Sequence, residues 1–563
     1  MKISGSQAVI ESLLHEKVTI IFGYPGGAIM PIYDALYDYT QSKKIRHILV
    51  RHEQGAGHAA EGWGRVTGEP GVVFATSGPG ATNLVTALGD AMMDSVPMVC
   101  ITGQVSSEVI GTDAFQEADV IGVTAPVTKW NYQITNTSEI PYIFKKAFHI
   151  ARSGRPGPVV IDITKDAQFN LLEFEYPKMI KLKSYNPTTE PHMLQIEAAA
   201  NLLNAAKRPL ILAGHGIHIS RAHKELLRVA NFSDIPVAVT LHGISSFPTD
   251  HRLYAGFLGM HGNYGPNLLS NKADVVLAVG MRFDDRVTGR VSDYLIDAKI
   301  IHIDIDPAEL NKIIKVEVPI VADVKPALSA LAKLLKKQKH DDWVSKFHDA
   351  NIVEKKQVWD LECDPSRGKI RMAEVVSRIS DLTCGNAIIV SDVGQNQMIA
   401  ARYFNFKIPN SFHSSGGMGT MGYGLPTAMG VKAALPNKQV ISISGDGGIQ
   451  MNIQELGTIA QESMPVKIVI LNNGFLGMVR QWQELFFDRR YSMTNIKSPD
   501  FIKVATAYGI EGRSISDRKD LKSAISKMLK HNGPYLLEIK VEKEENVFPM
   551  VATGAAVSEV RLK

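Results

Sequence analysis

Residues 440–448 read VISISGDGG and residues 466–473 read VKIVILNN, and these two stretches decide the fold. Each begins with a short run rich in β-branched residues, which is typical of a buried strand. The first run ends in a glycine-rich turn around Asp446, residues 449–462 follow a helical pattern, and Pro465 separates that helix from the second run. The unit is therefore predicted to be a strand, a helix and a second, parallel strand joined by a right-handed crossover.

The ends of the two predicted strands carry polar residues that suit a metal and a phosphate group. Asp446 follows the first strand and Asn473 follows the second. The carboxyl ends of neighbouring parallel strands meet at one edge of a sheet, so the two side chains are predicted to converge there. A carboxylate and an amide oxygen suit Mg²⁺ and leave positions for phosphate oxygens and water. Gly447 and Gly448 allow a phosphate group to approach closely, and the helix N-terminus favours its charge.

Taken separately, each of these motifs is no more than a tight turn in many proteins. In this order and spacing, the pair resembles the signature of thiamine-diphosphate enzymes. In that chemistry a buried carboxyl group hydrogen-bonds the pyrimidine ring of the cofactor and promotes removal of the proton from its thiazolium carbon. Glu53 is the candidate, because it follows a predicted strand over residues 45–50 and precedes a helix. The alternative interpretation is a solvated acid that favours the helix dipole.

Composition excludes several other classes of protein. The 563 residues carry a net charge of +4, which is too small to indicate a nucleic-acid or membrane partner. The cysteines, Cys100, Cys363 and Cys384, lack the spacing of a disulfide framework or a zinc site. The first residues lack the pattern of a signal or transit peptide, and no apolar run reaches the roughly 18 residues of a membrane span. We therefore expect a cytoplasmic enzyme.

The same alternation of short apolar runs and helical patterns recurs along the whole chain. It predicts an α/β protein with three doubly wound parallel-sheet domains. The expected boundaries are an N-terminal domain over 1–170, a linker over 171–191, a central domain over 192–340, a linker over 341–368 and a C-terminal domain over 369–563. The Asp446 motif then belongs to the third domain.

Five further motifs resemble one branch of the thiamine-diphosphate enzymes. They are YPGGA (24–28), RHEQ (51–54), GTDAFQE (111–117), RFDDRVTG (282–289) and GMVRQW (477–482). Over nearly its whole length the chain is similar to the catalytic large subunits of the acetohydroxyacid synthase (acetolactate synthase) family. The resemblance implies decarboxylation of pyruvate and transfer of its hydroxyethyl unit to a second pyruvate or to 2-oxobutanoate, the first common step of branched-chain amino acid biosynthesis. It also implies a pyrimidine-binding N-terminal domain, a central FAD-binding domain and a C-terminal domain that binds diphosphate and Mg²⁺.

The resemblance assigns roles to the residues at matching positions. The metal is expected at Asp446, Asn473 and the carbonyl group of Phe475. Thiamine diphosphate is expected at Glu53, Gln395, Asn396, Gly419, Met421, Gly447 and Gly448. Catalysis is expected to involve Gln116 and Lys165 beside Glu53, and the substrate is expected at Phe115, Met478 and Trp482. Asn396 departs from the His that is frequent at its position in the family.

Two of the substrate-site residues have a plain physical reason for their roles. Lys165 is suited to pair with the carboxylate of a 2-oxo acid. The indole of Trp482 offers apolar area to the extra methylene of 2-oxobutanoate, and a methylene is worth about 1–3 kcal/mol in discrimination. Without the surrounding motifs, a solvated lysine and a core tryptophan would be the ordinary interpretations.

The resemblance also implies FAD in the central domain. Glycines after strands admit a diphosphate group, and acids at strand ends accept hydroxyl groups. The RFDDRVTG stretch distinguishes FAD-containing synthases from their flavin-free catabolic relatives. The expected FAD contacts are Arg155, Gly214, Gly216, Thr240, Leu241, Gly259, Met260, His261, Gly280, Arg282, Arg286, Asp304, Ile305 and Asp323.

Two other functions stay open at this point. A pyruvate oxidase shares thiamine, flavin and the three-domain plan, and a non-catalytic scaffold could retain the fold. The scaffold interpretation predicts loss of Glu53, Asp446 or Asn473, and all three are present. The resemblance further implies a homodimer or tetramer with its site at a subunit interface, together with a possible small regulatory subunit.

Overall fold

The computed structural model describes residues 2–563 and contains three six-stranded sheets. Every strand pair within those three sheets is parallel, and helices cover the sheets. The predicted α/β fold class with three parallel-sheet domains is therefore confirmed. Among the described residues, no helix combines the length and the apolar character needed to cross a bilayer.

The N-terminal domain is built on a sheet with strand order β3-β2-β4-β5-β7-β6. A separate antiparallel pair, β1 and β8, joins the two ends of this domain. Its strands are β1 (Lys2–Ser4), β2 (Ile20–Gly23), β3 (Arg46–Leu49), β4 (Gly71–Ala75), β5 (Met98–Gln104), β6 (Trp130–Ile134), β7 (Pro158–Thr164) and β8 (Leu171–Glu173). Its helices are α1 (Gly5–His15), α2 (Met30–Gln41), α3 (Glu53–Thr67), α4 (Pro79–Thr82), α5 (Val85–Asp94), α6 (Val120–Thr124), α7 (Ile140–Arg152) and α8 (Lys165–Phe169).

The central sheet has the strand order β11-β10-β9-β12-β13-β14. Its strands are β9 (Pro209–Ala213), β10 (Val237–Val239), β11 (Tyr254–Phe257), β12 (Val275–Val279), β13 (Lys299–Asp304) and β14 (Val318–Val321). The helices around it are α9 (Met193–Ala205), α10 (Gly216–Ile219), α11 (His223–Ser233), α12 (Tyr264–Leu269), α13 (Asp285–Thr288), α14 (Val324–Leu331), α15 (Asp341–Glu354) and α16 (Asp360–Cys363).

Residues 341–368, expected as a linker, contain α15 and α16. Trp343 in α15 is buried, and its indole N–H donates to the carbonyl oxygen of Pro209 at 2.8 Å. At the end of α15, the Glu354 carboxylate accepts a hydrogen bond from Arg402 of the C-terminal domain. This segment therefore fastens the central domain to the third one.

The C-terminal sheet has the strand order β16-β15-β17-β18-β20-β19. Its strands are β15 (Ile388–Ser391), β16 (Phe412–His413), β17 (Val440–Gly445), β18 (Lys467–Asn472), β19 (Glu511–Ile515) and β20 (Tyr535–Lys540). Its helices are α17 (Met372–Thr383), α18 (Gln395–Tyr403), α19 (Gly424–Ala434), α20 (Asp446–Met451), α21 (Glu455–Gln461), α22 (Gly477–Phe486), α23 (Phe501–Ala507) and α24 (Leu521–Lys530).

Helices α3 and α19 form the largest contact between the N-terminal and C-terminal domains. Small residues of α3, among them Ala56, Ala59 and Ala60, lie in one apolar core with Ala428 and Met429 of α19. Small side chains allow two helix backbones to approach closely, and the shared core excludes water from the interface. The first and third domains are thereby held as one unit.

Candidate active site

Asp446 lies at the point where β17 ends and α20 begins, and its side chain is buried. Its Oδ2 accepts a hydrogen bond from the hydroxyl of Ser498 at 2.7 Å. Its Oδ1 is buried and has no partner among the described residues. Burial raises the pKa of this carboxyl group, and the Ser498 hydroxyl opposes that rise. Since a buried carboxylate oxygen without a partner is costly, its surroundings fit a bound cation.

Asn473 follows β18, the parallel neighbour of β17, and is also buried. Gly445 at the end of β17 pairs with Leu471 of β18, so the strand ends that carry Asp446 and Asn473 are adjacent. The side-chain Oδ1 of Asn473 accepts from the backbone N–H of Phe475 at 3.1 Å, and its Nδ2 lies 3.3 Å from Oε1 of Gln395. The structure thus brings Asp446, Asn473 and Phe475 together at one sheet edge.

The residues expected at the diphosphate group surround the same edge. Gln395 begins α18 and donates to the carbonyl oxygen of Glu545 at 2.7 Å. A side chain at Gly448 would meet Oδ1 of Asp392 at 2.6 Å, so the turn requires glycine there. Asn396 is buried, and its amide nitrogen donates to the carbonyl oxygen of Asp392 at 2.7 Å. The donor group of Asn396 is therefore used within the protein.

A cavity of about 890 Å³ lies between the three domains and collects most of the expected FAD contacts. Gly419, Met421, Met478 and Trp482 line the same cavity, so it continues toward the expected thiamine and substrate side. Gly214 does not line it. The expected FAD contacts on its wall are Arg155, Gly216, Thr240, Leu241, Gly259, Met260, His261, Gly280, Arg282, Arg286, Asp304, Ile305 and Asp323.

The cavity wall has the features that a dinucleotide needs. Gly280 has a φ of +55°, and a Cβ there would lie 2.5 Å from Cα of Gly216, so only glycine allows these two segments to touch. Burial raises the pKa of Asp304 to about 6. Burial also lowers the pKa of His261 to about 3, with a further contribution from Arg402, and the imidazole is neutral at pH 7. Arg155 and Arg282 also line the wall, and Arg155 pairs there with Glu309 at 2.8 Å.

The N-terminal site residues lie away from this cavity in the single chain. Glu53 begins α3, is 8% exposed, and accepts a hydrogen bond from Nδ2 of Asn83 at 2.9 Å. Phe115 is 87% exposed, Gln116 has a φ of +60°, and Lys165 is exposed at the start of α8. None of these four residues lines the cavity that holds Met478 and Trp482.

Sequence reasoning missed several polar residues around these sites. Asp392 follows β15 as Asp446 follows β17, and its carboxylate accepts from the backbone N–H groups of Gly422 and Gly424 at 3.0 Å each. Its position after a predicted strand was a usable signal. Ser498 lies in a loop far from Asp446 along the chain, and nothing in its local sequence indicates the contact.

Three family models match the chain in the order of its domains. The N-terminal TPP binding domain of thiamine pyrophosphate enzymes matches residues 3–123, the central domain matches residues 196–331, and the C-terminal TPP binding domain matches residues 392–539. The fold and the strand-end cluster around Asp446 therefore define a thiamine pyrophosphate enzyme.

Comparison with curated proteins specifies the branch. An acetolactate synthase large subunit of Corynebacterium glutamicum is 45% identical and covers 100% of this chain and 90% of its own length. The acetolactate synthase isozyme 3 large subunit of Escherichia coli is 43% identical, with 100% and 98% covered. A probable acetolactate synthase large subunit of Methanocaldococcus jannaschii is 46% identical, with 99% and 95% covered. The chain belongs to the family of acetolactate synthase large subunits, and the pyruvate oxidase alternative is not favoured.

Proposed function

We propose that the protein joins two 2-oxo acids as an acetolactate synthase. Pyruvate loses carbon dioxide, and the two-carbon unit that remains is transferred to a second pyruvate or to 2-oxobutanoate. The products are 2-acetolactate and 2-aceto-2-hydroxybutanoate, and the reaction begins branched-chain amino acid biosynthesis. The observation that carries the proposal is the buried, unpartnered Oδ1 of Asp446 beside Asn473, in a chain similar to acetolactate synthase large subunits over its full length.

The residues at the strand ends fit a divalent cation and a diphosphate group. We assign Mg²⁺ to Asp446, Asn473 and the carbonyl oxygen of Phe475, since hard oxygen ligands suit this ion. Gln395, Gly419, Gly447 and Gly448 would approach the diphosphate group, and Met421 would support the cofactor ring system. Asn396 is the weakest member of this set, because its amide nitrogen already donates to Asp392. Thiamine diphosphate, when bound, supplies the nucleophilic carbon and the electron sink that decarboxylation requires.

Glu53 is assigned to the pyrimidine ring of the cofactor. Its carboxyl group is nearly buried and is held by Asn83, so its direction is fixed before the cofactor binds. A carboxyl group in this setting can hold a proton at a ring nitrogen and share it during cofactor activation. The contact needs a second chain if Glu53 serves the cofactor of its neighbour. We therefore propose a homodimer or a tetramer as the active form.

The acceptor site is assigned to residues of the N-terminal domain together with residues of the cavity wall. Lys165 would bind a substrate carboxylate, and Phe115 and Gln116 would close over it. Met478 and Trp482 lie on the wall of the cavity, where apolar area favours the larger acceptor. Trp482 also contacts Phe486 of the same helix in a tilted arrangement, at 4.9 Å between ring centroids.

FAD is assigned to the cavity between the domains. Its volume and its glycine-rich, arginine-bearing wall suit a dinucleotide. The condensation contains no redox step, so the flavin would act through structure. The name "large subunit" of the relatives supports a small regulatory partner for this chain as well. We also propose a cytoplasmic location without nucleic-acid or membrane partners.

One set of measurements tests the function. The purified protein is assayed for acetolactate from pyruvate with and without thiamine diphosphate and Mg²⁺, while oxygen uptake and the visible flavin spectrum are recorded. We expect acetolactate that depends on both additions, no oxygen uptake and a flavin absorption band. Glu53→Gln should lower the rate by at least about 100-fold, whereas Glu69→Gln should not, because Glu69 is exposed and lies beyond the end of α3. Oxygen uptake with acetate formation would instead establish an oxidase.

A further inference from the structure

A buried carboxylate of the C-terminal domain reaches the backbone beside Glu53. Glu455 is the first residue of α21 and is 0% exposed. Its Oε1 and Oε2 lie 3.1 Å and 3.3 Å from the backbone nitrogen of Arg51, whose N–H donates to them. Arg51 lies between β3 and α3, two residues before Glu53. One side chain of the third domain therefore holds the backbone from which α3 begins.

The surroundings of Glu455 leave it little freedom. The hydroxyl of Thr458 donates to its Oε2 at 2.7 Å. A Cβ at Gly55, in the first turn of α3, would lie 2.5 Å from its Oε1, so glycine is needed for this approach. The guanidinium of Arg51 donates to Oε1 of Gln461, the last residue of α21, at 2.8 Å. The segment before α3 therefore contacts both the first and the last residue of α21.

We infer that Glu455 is a positioning residue for Glu53, fixing the start of α3 so that the Glu53 carboxyl group keeps its direction. The inference rests on the proposed role of Glu53 at the cofactor. Asn83 holds the Glu53 side chain, and Glu455 holds the backbone that carries it. A displacement of about 1 Å at a reacting group can cost about 100-fold in rate, so a loosened junction would weaken cofactor activation.

The positioning depends on reach rather than on charge. Burial raises the pKa of Glu455 to about 7, against the opposing effects of the Thr458 hydroxyl and the Arg51 backbone N–H. A carboxyl oxygen can accept the N–H of Arg51 in either protonation state. A glutamine has the same length and a carbonyl oxygen, whereas an aspartate is shorter by one methylene. Glu455→Gln should therefore keep the contact, and Glu455→Asp and Glu455→Ala should lose it.

Two measurements test the inference. The first is backbone amide hydrogen exchange of the peptide around residues 49–56 in the protein without added cofactor. The second is the rate of deuterium exchange at the thiazolium carbon of bound thiamine diphosphate, read by NMR after acid quenching. Glu374→Ala is the matched control. Glu374 is a buried acid of the same domain that accepts a hydrogen bond from Arg518 at 2.9 Å, and it is part neither of the proposed active site nor of the contact between Glu455 and Arg51.

We expect Glu455→Asp and Glu455→Ala to increase amide exchange around residues 49–56 and to slow thiazolium exchange by about 10- to 100-fold. Glu455→Gln and Glu374→Ala should stay near the wild type in both. If Glu455→Ala does not fold, the aspartate and glutamine variants decide the question. Wild-type thiazolium exchange in the aspartate variant, with slowed exchange in Glu53→Gln, overturns the inference. Unchanged exchange in Glu53→Gln itself would instead refute the proposed role of Glu53.

Discussion

The guanidinium Nη2 of Arg65 lies 2.6 Å from Oδ2 of Asp94, and each of these side chains is only 1% exposed. The Asp94 carboxylate also accepts from the backbone N–H groups of Gly416 and Gly417 at 2.9 Å and 2.7 Å. Nε2 of His242 lies 3.1 Å from the same carboxylate. Asp94 therefore joins the N-terminal, central and C-terminal domains at the wall of the large cavity.

We expect Arg65→Met to destabilise the protein strongly. The substitution leaves the buried Asp94 charge without its closest cationic partner, and breaking a buried pair in this way costs about 3–5 kcal/mol. Thermal unfolding of the protein with its proposed cofactors bound measures the effect. The control is Arg378→Met, which removes an exposed partner of Asp381 at 3.8 Å and should cost at most about 1 kcal/mol. Equal changes in the melting temperature of the two variants would show that the Arg65–Asp94 pair does not support the fold.

Acid should weaken the contacts by which Asp94 joins the three domains. Burial alone would raise the pKa of Asp94, but His242 and Arg65 hold that pKa well below its usual range. A carboxyl group with a lowered pKa in the folded state contributes stability above its unfolded pKa of about 3.9, and this contribution is lost as the pH falls toward its folded value.

Melting temperatures measured between pH 3 and pH 7 test this expectation. Asp94→Asn should lower the melting temperature near neutral pH and flatten its decline on the acid side. Asp381→Asn should leave both features as they are, because Asp381 is exposed. If the melting temperature of Asp94→Asn declined toward acid pH as steeply as that of the wild type, the acid sensitivity would belong to other groups.

The sequence was sufficient to predict the polar residues at the strand ends, but it was insufficient to predict the contacts between distant segments. Asp446 and Asn473 follow recognisable strands, and parallel pairing alone brings such residues to one edge. Ser498, Glu455 and Asp94 were not found, because each meets its partner through tertiary packing that no local pattern encodes. The apolar face of α15 was likewise underestimated, since charged residues alternate with the buried ones along that helix.

Removing the Ser498 hydroxyl should weaken metal binding. This group orients the Asp446 carboxylate, and loss of a partner that orients a metal ligand typically costs about 10- to 100-fold in affinity. Mg²⁺ titration in the presence of thiamine diphosphate, followed by protein fluorescence, measures the change in Ser498→Ala. Ser523→Ala is the control, because its hydroxyl donates only to the exposed turn at Asp520. Identical Mg²⁺ affinity in both variants would argue against Asp446 as a ligand.

A methyl group at Gly280 should disturb the proposed flavin site. Gly280→Ala places a Cβ 2.5 Å from Cα of Gly216, and overpacking of this kind costs about 1–3 kcal/mol. Gly368→Ala is matched to it, since Gly368 also has a positive φ, +86°, but has no atom within 4 Å of the added Cβ. We expect less bound flavin by absorbance and a lower melting temperature in Gly280→Ala alone. Full flavin content in that variant would place the cofactor elsewhere.

Shortening Trp482 should reduce the preference for 2-oxobutanoate over pyruvate. The indole lines the cavity, and the loss of contact with one methylene is worth about 1–3 kcal/mol, or about tenfold or more in the ratio of products. Competition between the two acceptors, with both products quantified by chromatography, gives that ratio for Trp482→Leu. Phe486→Leu alters the neighbouring ring on α22 but not the wall, and should retain most of the preference. An unaltered ratio in Trp482→Leu would exclude the indole from acceptor selection.

The separation of Glu53 and Phe115 from the cavity wall that carries Met478 and Trp482 has a genetic consequence. If two chains complete each other's reaction centres, a Glu53→Gln chain and an Asp446→Asn chain are each inactive alone but complementary when mixed. A heterodimer of the two would contain one doubly damaged centre and one intact centre, so co-expression would restore growth that neither allele supports by itself.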